Sequence, residues 1–261
     1  MSVAKVVVIT GASSGIGAEM AKMIAAKGWT PVLMARSIEK LEYLRNEIQN
    51  DFKVKAYSYQ LDVQDLPQIE QVFNRIEKEV GSIDVLINNA GYGIFDYFLD
   101  AKMEDVKGMF DTNVIGLMAC TKVVLPEMVE RRSGHIINIA SQAAKLATTK
   151  GSGYAATKHA VLGFTNSLRM EVKDYGIHVT TVNPGPIRTN FFKVADKSGQ
   201  YEKNIEKWLL PAELVSRKVI STIEKPVREV NLPGWMEVGS KLYQLAPALV
   251  EKLGKKAFSQ K

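Results

Sequence analysis

A tyrosine and a lysine stand four residues apart in the segment that runs from Tyr154 to Lys158. Residues with this spacing share one face of a helix, so the lysine ammonium can lie close to the phenol. A nearby positive charge favours the phenolate and is expected to lower the tyrosine pKa from its reference of about 10. Such a tyrosine can donate a proton to a carbonyl oxygen or remove one from an alcohol. The spacing alone is common in helices and is a weak signal.

Two more polar residues lie where they can join this chemistry. Ser141 follows the apolar run 135–140, a predicted strand, and can hydrogen-bond the same substrate oxygen. Asn113 lies in a long helical stretch and could hold a water that relays protons through Lys158. Together with the tyrosine, these side chains indicate acid–base work on a C=O or CH–OH group.

A glycine-rich segment, residues 10–17, links the first predicted strand to the first predicted helix. Glycines let the backbone turn sharply and approach a pyrophosphate, which then meets the free N–H groups and positive end of the helix. The spacing is T-G-x-x-x-G-x-G rather than G-x-G-x-x-G, and a glycine loop by itself is a weak signal. Its place directly between a strand and a helix predicts a dinucleotide site.

The end of the second predicted strand discriminates between the two nicotinamide cofactors. NAD enzymes usually place an Asp or Glu there to bond the ribose 2′-hydroxyl, whereas this chain has Ala35, Arg36 and Ser37. Arg36 can clamp a 2′-phosphate through its planar guanidinium; the alternative is an ordinary solvated arginine. Beside the glycine loop, the favoured cofactor is NADP(H).

Apolar runs of strand length alternate with amphipathic stretches of helical length along most of the chain. Strands alternating with helices predict right-handed βαβ crossovers and a parallel sheet. The expected fold class is therefore α/β: a Rossmann-type, doubly wound parallel β-sheet of about seven strands with helices on both faces, a three-layer αβα sandwich. We expect one domain over residues 1–261, with a single long helix over Met103–Arg131.

With these residues in place, the chain resembles the single-domain, NADP(H)-preferring branch of the short-chain dehydrogenase/reductase family over nearly its whole length. The resemblance implies that residues 10–17 bind the pyrophosphate, that residues 62–63 contact the adenine, and that residues 88–91 lie beside the adenosine ribose. Residues 184–189 match the nicotinamide segment. Together with Arg36, the implied cofactor contacts come from Gly11, Ser13, Ser14, Gly15, Ile16, Gly17, Asp62, Val63, Asn89, Ala90, Gly91, Tyr154, Lys158, Pro184, Gly185, Ile187 and Thr189.

Four residues match the catalytic tetrad of that family: Asn113, Ser141, Tyr154 and Lys158. The resemblance implies that Tyr154 is the acid/base and that Lys158 binds the nicotinamide ribose and lowers the tyrosine pKa. Ser141 would orient and polarise the carbonyl, and Asn113 would support the proton relay. The implied reaction moves a hydride between the nicotinamide and a carbonyl or secondary alcohol. The alternative is an NADPH-binding sensor of the same fold, which loss of Tyr154 or Lys158 would have favoured.

The segment 186–210 is expected to be a substrate-binding lid loop, with Phe191, Phe192 and Trp208 as apolar contacts. Residues 233–261 form a C-terminal extension whose apolar stripe could cover the domain, a partner subunit or a membrane interface; packing on the domain is favoured. Members of the family are commonly dimers or tetramers, so a homo-oligomer is expected. The glycine-rich close of many tetrameric members is absent, which makes a dimer at least as expected as a tetramer.

Composition excludes several other classes. The net charge of +6 and the pI near 9.2 raise the question of nucleic acid, but the basic residues are scattered among acidic ones, so a small-molecule substrate is expected and no nucleic acid. The single cysteine, Cys120, permits no intramolecular disulfide and is typical of a core thiol. The three histidines lack metal-ligand spacing, so no metal site is expected. No apolar run is judged long enough to span a bilayer, and the expected location is cytoplasmic.

Overall fold

Seven parallel strands form one sheet in the computed structural model, which describes residues 4–196 and 199–253. The order across the sheet is β3-β2-β1-β4-β5-β6-β7, so the strand order reverses beside β1. This confirms the predicted doubly wound Rossmann-type sheet. The strands are Val6–Thr10 (β1), Thr30–Ala35 (β2), Tyr57–Gln60 (β3), Val85–Asn88 (β4), Gly134–Ile139 (β5), Ile177–Pro184 (β6) and Glu229–Leu232 (β7).

Helices cover both faces of this sheet, which confirms the three-layer arrangement. The α-helices are Gly15–Ala26 (α1), Ile38–Phe52 (α2), Leu66–Glu79 (α3), Met103–Phe110 (α4), Leu117–Arg131 (α5), Ser152–Glu171 (α6), Phe191–Ala195 (α7), Gln200–Ile205 (α8), Ala212–Glu224 (α9), Gly234–Leu245 (α10) and Pro247–Leu253 (α11). One apolar core lies between the sheet and α1, α2 and α9, with Ile24 and Val219 among its members. The second lies on the other face against α3, α5 and α6, with Phe73 and Val124. Alternate residues of a strand pack into one core or the other, because successive side chains point to opposite faces of the sheet.

The stretch Met103–Arg131 is not the uninterrupted helix that its pattern predicts. Between α4 and α5, residues Asp111–Gly116 form a π-helical segment, which carries an extra residue per turn and is frequent at functional sites. The chain passes very close to its neighbour here, since a Cβ on Gly116 would lie 2.4 Å from the carbonyl oxygen of Val63. Asn113 lies inside this segment, so the departure from α-helix bears directly on the predicted tetrad.

By length and composition alone, Met103–Arg131 is apolar enough to cross a membrane. This corrects the expectation that no run is long enough. Its buried side chains, among them Val114, Leu117 and Cys120, nevertheless pack into the cores described above and beside β5, as expected of a core helix. The prediction of a buried thiol is confirmed, and burial raises the pKa of Cys120 to about 12.

The apolar stripe of α10 and α11 faces away from the domain. Five of its large members are more than half exposed, namely Trp235, Val238, Leu242, Leu245 and Leu249, whereas Tyr243 and Val250 are partly buried. The favoured packing of this stripe on the domain is therefore wrong for the five exposed residues. The reason is that α10 contacts β7 and the segment after β5 through its other side, where Ser240 is buried. The side chain of Leu253, residues 254–261 and residues 197–198 of the predicted lid lie outside the described part of the chain.

Candidate active site

The glycine-rich segment forms the turn between β1 and α1. Gly11 and Gly15 have left-handed φ angles of 67° and 57°, which glycine adopts without strain. Gly17 is required for a different reason, because a Cβ there would lie 2.3 Å from the carbonyl oxygen of Gly11. Ser14 stands at the N-cap of α1 without a side-chain cap hydrogen bond, so the first N–H groups of the helix stay available to an anion.

Thr10 fastens the end of β1 to the end of β4. Its Oγ1 accepts hydrogen bonds from the backbone N–H groups of Asn89 (3.0 Å) and Ala90 (2.9 Å). In return, Nδ2 of Asn89 donates to the carbonyl oxygens of Thr10 (2.9 Å) and Gly11 (3.1 Å). These bonds fix the crevice at the point where the strand order reverses. Sequence reasoning assigned Asn89 and Ala90 to cofactor contact and missed this use of Thr10.

Asn113 joins the loop after β4 to α6. Its Nδ2 donates to the carbonyl oxygen of Tyr92 (2.8 Å) and to Oγ1 of Thr157 (3.1 Å), while its Oδ1 accepts from the N–H of Tyr92 (3.0 Å). The side chain is 1 % exposed. These bonds use both amide hydrogens, which makes Asn113 a positioning residue for the wall of the site. Its predicted part in a water relay stays a prediction.

Tyr154 and Lys158 lie on one face of α6, as their spacing predicts, and Ser141 follows β5 beside them. The Lys158 Nζ lies 5.7 Å from the centre of the Tyr154 ring and donates to the carbonyl oxygen of Ile139 at 2.9 Å. Tyr154 forms a side-chain hydrogen bond with Ser141. Ser141 is itself held by the N–H of Ala143, which donates to its Oγ at 3.1 Å.

Burial decides the protonation of this pair. It raises the pKa of Tyr154 above its ordinary value, against a smaller lowering effect of the hydrogen bond with Ser141. It also lowers the pKa of Lys158 to about 8. The expectation of a tyrosine pKa below its ordinary value is therefore wrong for the protein by itself, whereas the effect of the Lys158 charge on the tyrosine stays a prediction. The physical reason is that an apolar surrounding penalises the phenolate and the ammonium alike.

Removal of the Lys158 charge is expected to stabilise the fold. The folded pKa of about 8 lies below the ordinary 10.5, so between these values the unfolded state binds more protons and wild-type stability rises with pH. The variant Lys158→Met should lack this rise with pH. Its free energy of unfolding at neutral pH should be about 1–3 kcal/mol larger than that of the wild type. Urea denaturation of both proteins across this pH range measures it. Parallel pH profiles for the two proteins would contradict the expectation.

A cavity of about 630 Å³ collects nearly all the predicted site residues. Two of them do not line it: Gly17, which lies behind the glycine turn, and Asn113, which lies behind Tyr92. The predicted residues that line the cavity are Gly11, Ser13, Ser14, Gly15, Ile16, Arg36, Asp62, Val63, Asn89, Ala90, Gly91, Ser141, Tyr154, Lys158, Pro184, Gly185, Ile187 and Thr189.

One end of the cavity is cationic. Arg36 follows β2 and lines the cavity together with Ser37 and Lys40. Sequence reasoning missed Lys40, although it stands one helical turn after Arg36, at the beginning of α2. Two cations and a hydroxyl at this place form a donor set that suits a phosphate group.

The other end, around Tyr154, is apolar. Phe191 and Phe192 line it, as the predicted lid requires, together with residues that no motif indicated: Phe95, Leu146, Val194, Tyr201 and Met236. The prediction that Trp208 is an apolar contact of the lid is wrong, because Trp208 does not line the cavity. It is 53 % exposed and its ring packs 5.3 Å from that of Trp235, since the turn after α8 directs it to the surface stripe.

Comparisons with known proteins agree with this geometry. A family model described as short chain dehydrogenase matches residues 5–199. Dehydrogenase/reductase SDR family member 7B of Xenopus laevis is 38% identical over 259 residues, covering 94% of this chain and 79% of its own. The NADP-dependent 3-hydroxy acid dehydrogenase of Schizosaccharomyces pombe is 39% identical over 189 residues, covering 72% and 73%. A serine dehydrogenase solved in a closed form with NADP+ is 33% identical, with a TM-score of 0.81 over 87% of this chain and 94% of that one. The chain belongs to the short-chain dehydrogenase/reductase family of oxidoreductases.

Proposed function

We propose that this protein is an NADP(H)-dependent oxidoreductase that interconverts a carbonyl compound and a secondary alcohol. One observation carries the proposal: the buried Tyr154 and its hydrogen-bond partner Ser141 lie at one end of a cavity whose other end holds the glycine turn and two cations. An acid–base group and an anion site in one cavity fit a substrate and a phosphorylated cofactor side by side. Relatives whose names specify NADP support the choice of cofactor.

The residues present suit NADP(H). The uncapped first turn of α1 and the glycine turn would hold the pyrophosphate, and Arg36 with Lys40 would hold the 2′-phosphate. Lys158 would contact the nicotinamide ribose, and Thr189 the carboxamide. The bound cofactor supplies the hydride chemistry, while the protein supplies position and electrostatics.

The side chains of the site handle the proton. Because burial raises the pKa of Tyr154, its phenol stays protonated at neutral pH and can donate that proton to a substrate oxygen. Ser141 can hydrogen-bond the same oxygen and so orient the carbonyl. In the oxidative direction the tyrosine must lose its proton, and the ammonium of Lys158 beside its ring favours the phenolate. Asn113 acts through Tyr92 and Thr157 as a positioning residue.

Residues 186–210 are proposed as the lid over the substrate end of the cavity, within one domain over residues 1–261. The support is that α7 and α8 carry Phe191, Phe192 and Tyr201 to the cavity wall. Limited proteolysis with and without NADPH and a ketone tests the lid. Protection confined to this segment is the expected result, and equal cleavage in both conditions would contradict it.

The variant Arg36→Glu is expected to change the cofactor preference. Losing a charge-assisted hydrogen bond and adding a repulsive carboxylate should raise the Kd for NADPH by roughly 10- to 100-fold, while the Kd for NADH changes little. Fluorescence titration of both cofactors measures the two constants. Arg217→Glu is the matched control, because Arg217 is exposed on α9 and outside the cavity. Equal weakening of NADPH and NADH by Arg36→Glu would refute the assignment.

A further inference from the structure

Five aromatic rings enclose the substrate end of the cavity. We call them the aromatic chamber: Phe95, Tyr154, Phe191, Phe192 and Tyr201. The ring of Tyr154 lies 5.8 Å from that of Phe95 and 5.7 Å from that of Phe191, and Tyr201 lies 5.4 Å from Phe95 and 5.5 Å from Phe192. Tilted and edge-on contacts at these distances are favourable between aromatic rings. The acid–base tyrosine is thus one wall of an apolar compartment.

Phe191 packs beside the ring of Tyr154, and a glycine leaves room for both rings. A Cβ on Gly93 would lie 2.9 Å from Cζ of Phe191 and 3.0 Å from Cδ2 of Tyr154. Only a residue without a side chain lets the loop after β4 approach both rings this closely. The shape of the chamber next to Tyr154 is therefore built by Gly93 and Phe191 together.

The chamber offers no described charged side chain of its own. Among the described residues that line the cavity, Arg36, Lys40 and Asp62 follow or lie near the ends of β2 and β3, two strands or more away from β5 and Ser141. The remaining charged residue is Lys158, whose ammonium is bonded to the carbonyl oxygen of Ile139. A carboxylate placed among the rings would lose its hydration, which is costly, and no described side chain of the chamber itself carries a charge to offset that loss.

We infer that the substrate is an uncharged ketone or aldehyde with an aryl or similarly flat apolar group, which the aromatic chamber holds, and that a carboxylate on that group disfavours binding. The inference rests on the proposed function. In the reductive direction the carbonyl carbon receives a hydride, its oxygen receives the Tyr154 proton, and NADPH is oxidised to NADP+ as the alcohol forms. The tyrosine regains its proton from solvent.

The test compares methyl 4-acetylbenzoate with 4-acetylbenzoate, two stable compounds that share the ketone and the aromatic ring and differ in a methyl ester against a carboxylate. With NADPH, kcat/KM for the ester should exceed that for the acid by roughly 100-fold. An acid that is reduced as well as the ester would overturn the inference while the proposed function stands. Reduction of neither substrate, nor of any simple ketone, with NADPH still bound, would instead overturn the proposed function.

Val194 gives a charge-specific version of the test. It lines the cavity and is 54 % exposed on α7, so a long side chain there need not disturb the core. Val194→Arg should raise kcat/KM for 4-acetylbenzoate by roughly tenfold and weaken the preference for the ester. Val194→Gln adds length without charge and should leave the preference as it is. Calorimetric titration of 4-acetylbenzoate into each variant with NADP+ gives a readout that does not depend on turnover. The same preference in the Arg and Gln variants would overturn the inference.

Discussion

Tyr154→Phe is expected to lower kcat for carbonyl reduction by roughly 10³-fold and to leave the Kd for NADPH nearly unchanged. The substitution removes only the hydroxyl group, so the ring contacts with Phe95 and Phe191 remain. What is lost is the proton donor that is hydrogen-bonded to Ser141. The loss of NADPH absorbance in the presence of an uncharged ketone measures kcat, and protein fluorescence measures the Kd.

The matched control for this prediction is Tyr175→Phe. Tyr175 follows α6 and is 41 % exposed, outside the cavity, so its variant should retain full activity. Wild-type turnover in Tyr154→Phe would contradict the role given to this tyrosine. A wild-type protein that binds NADPH and reduces no carbonyl compound would favour the sensor alternative raised by the sequence.

Gly17→Ala should destabilise the fold by about 3 kcal/mol, or roughly 10 °C in Tm, and weaken NADPH binding as well. The new methyl carbon would lie 2.3 Å from the carbonyl oxygen of Gly11, 2.8 Å from Nδ2 of Asn89 and 3.0 Å from Cα of Ala12. Two of these atoms are backbone, so relief requires movement of the glycine turn itself. Because Asn89 also bonds to Thr10, that movement reaches the end of β4.

Thermal unfolding and NADPH titration measure the two effects, with Gly163→Ala as the control. Gly163 lies in α6, where an added methyl group meets no atom within 4 Å. Alanine in a helix interior should stabilise that variant by about 0.5–1 kcal/mol. A Gly17→Ala protein with wild-type Tm and NADPH affinity would show that the turn is not as tightly constrained as its packing indicates.

Most of the fold was predictable, because the spacing of apolar residues indicates which faces of a strand or helix are buried. The run 5–10 is apolar on both faces, and in the structure Val7 and Val8 enter opposite cores. The π-helical segment was not predictable, since the helical pattern continues through Asp111–Gly116 and only the close approach to Val63 distinguishes it. The exposed stripe of α10 was misjudged because periodicity gives an apolar face without saying what covers it.

The site was likewise predictable only in part. Spacing placed Tyr154 and Lys158 on one helical face, and order along the chain indicated which strand ends meet. The direction of the Tyr154 pKa was beyond the sequence, because it depends on how completely distant segments exclude water. The chamber residues Phe95 and Tyr201 come from segments without a motif, and only the topology brings them together.

The bonds between Thr10 and Asn89 also have a consequence for how the chain folds. They join residues 79 positions apart, across the central pair of strands β1 and β4. Contacts of such wide separation close late and slowly. The cofactor crevice therefore takes shape only after β4 has been synthesised and docked beside β1, so NADPH can stabilise chains that have reached this stage but not earlier intermediates.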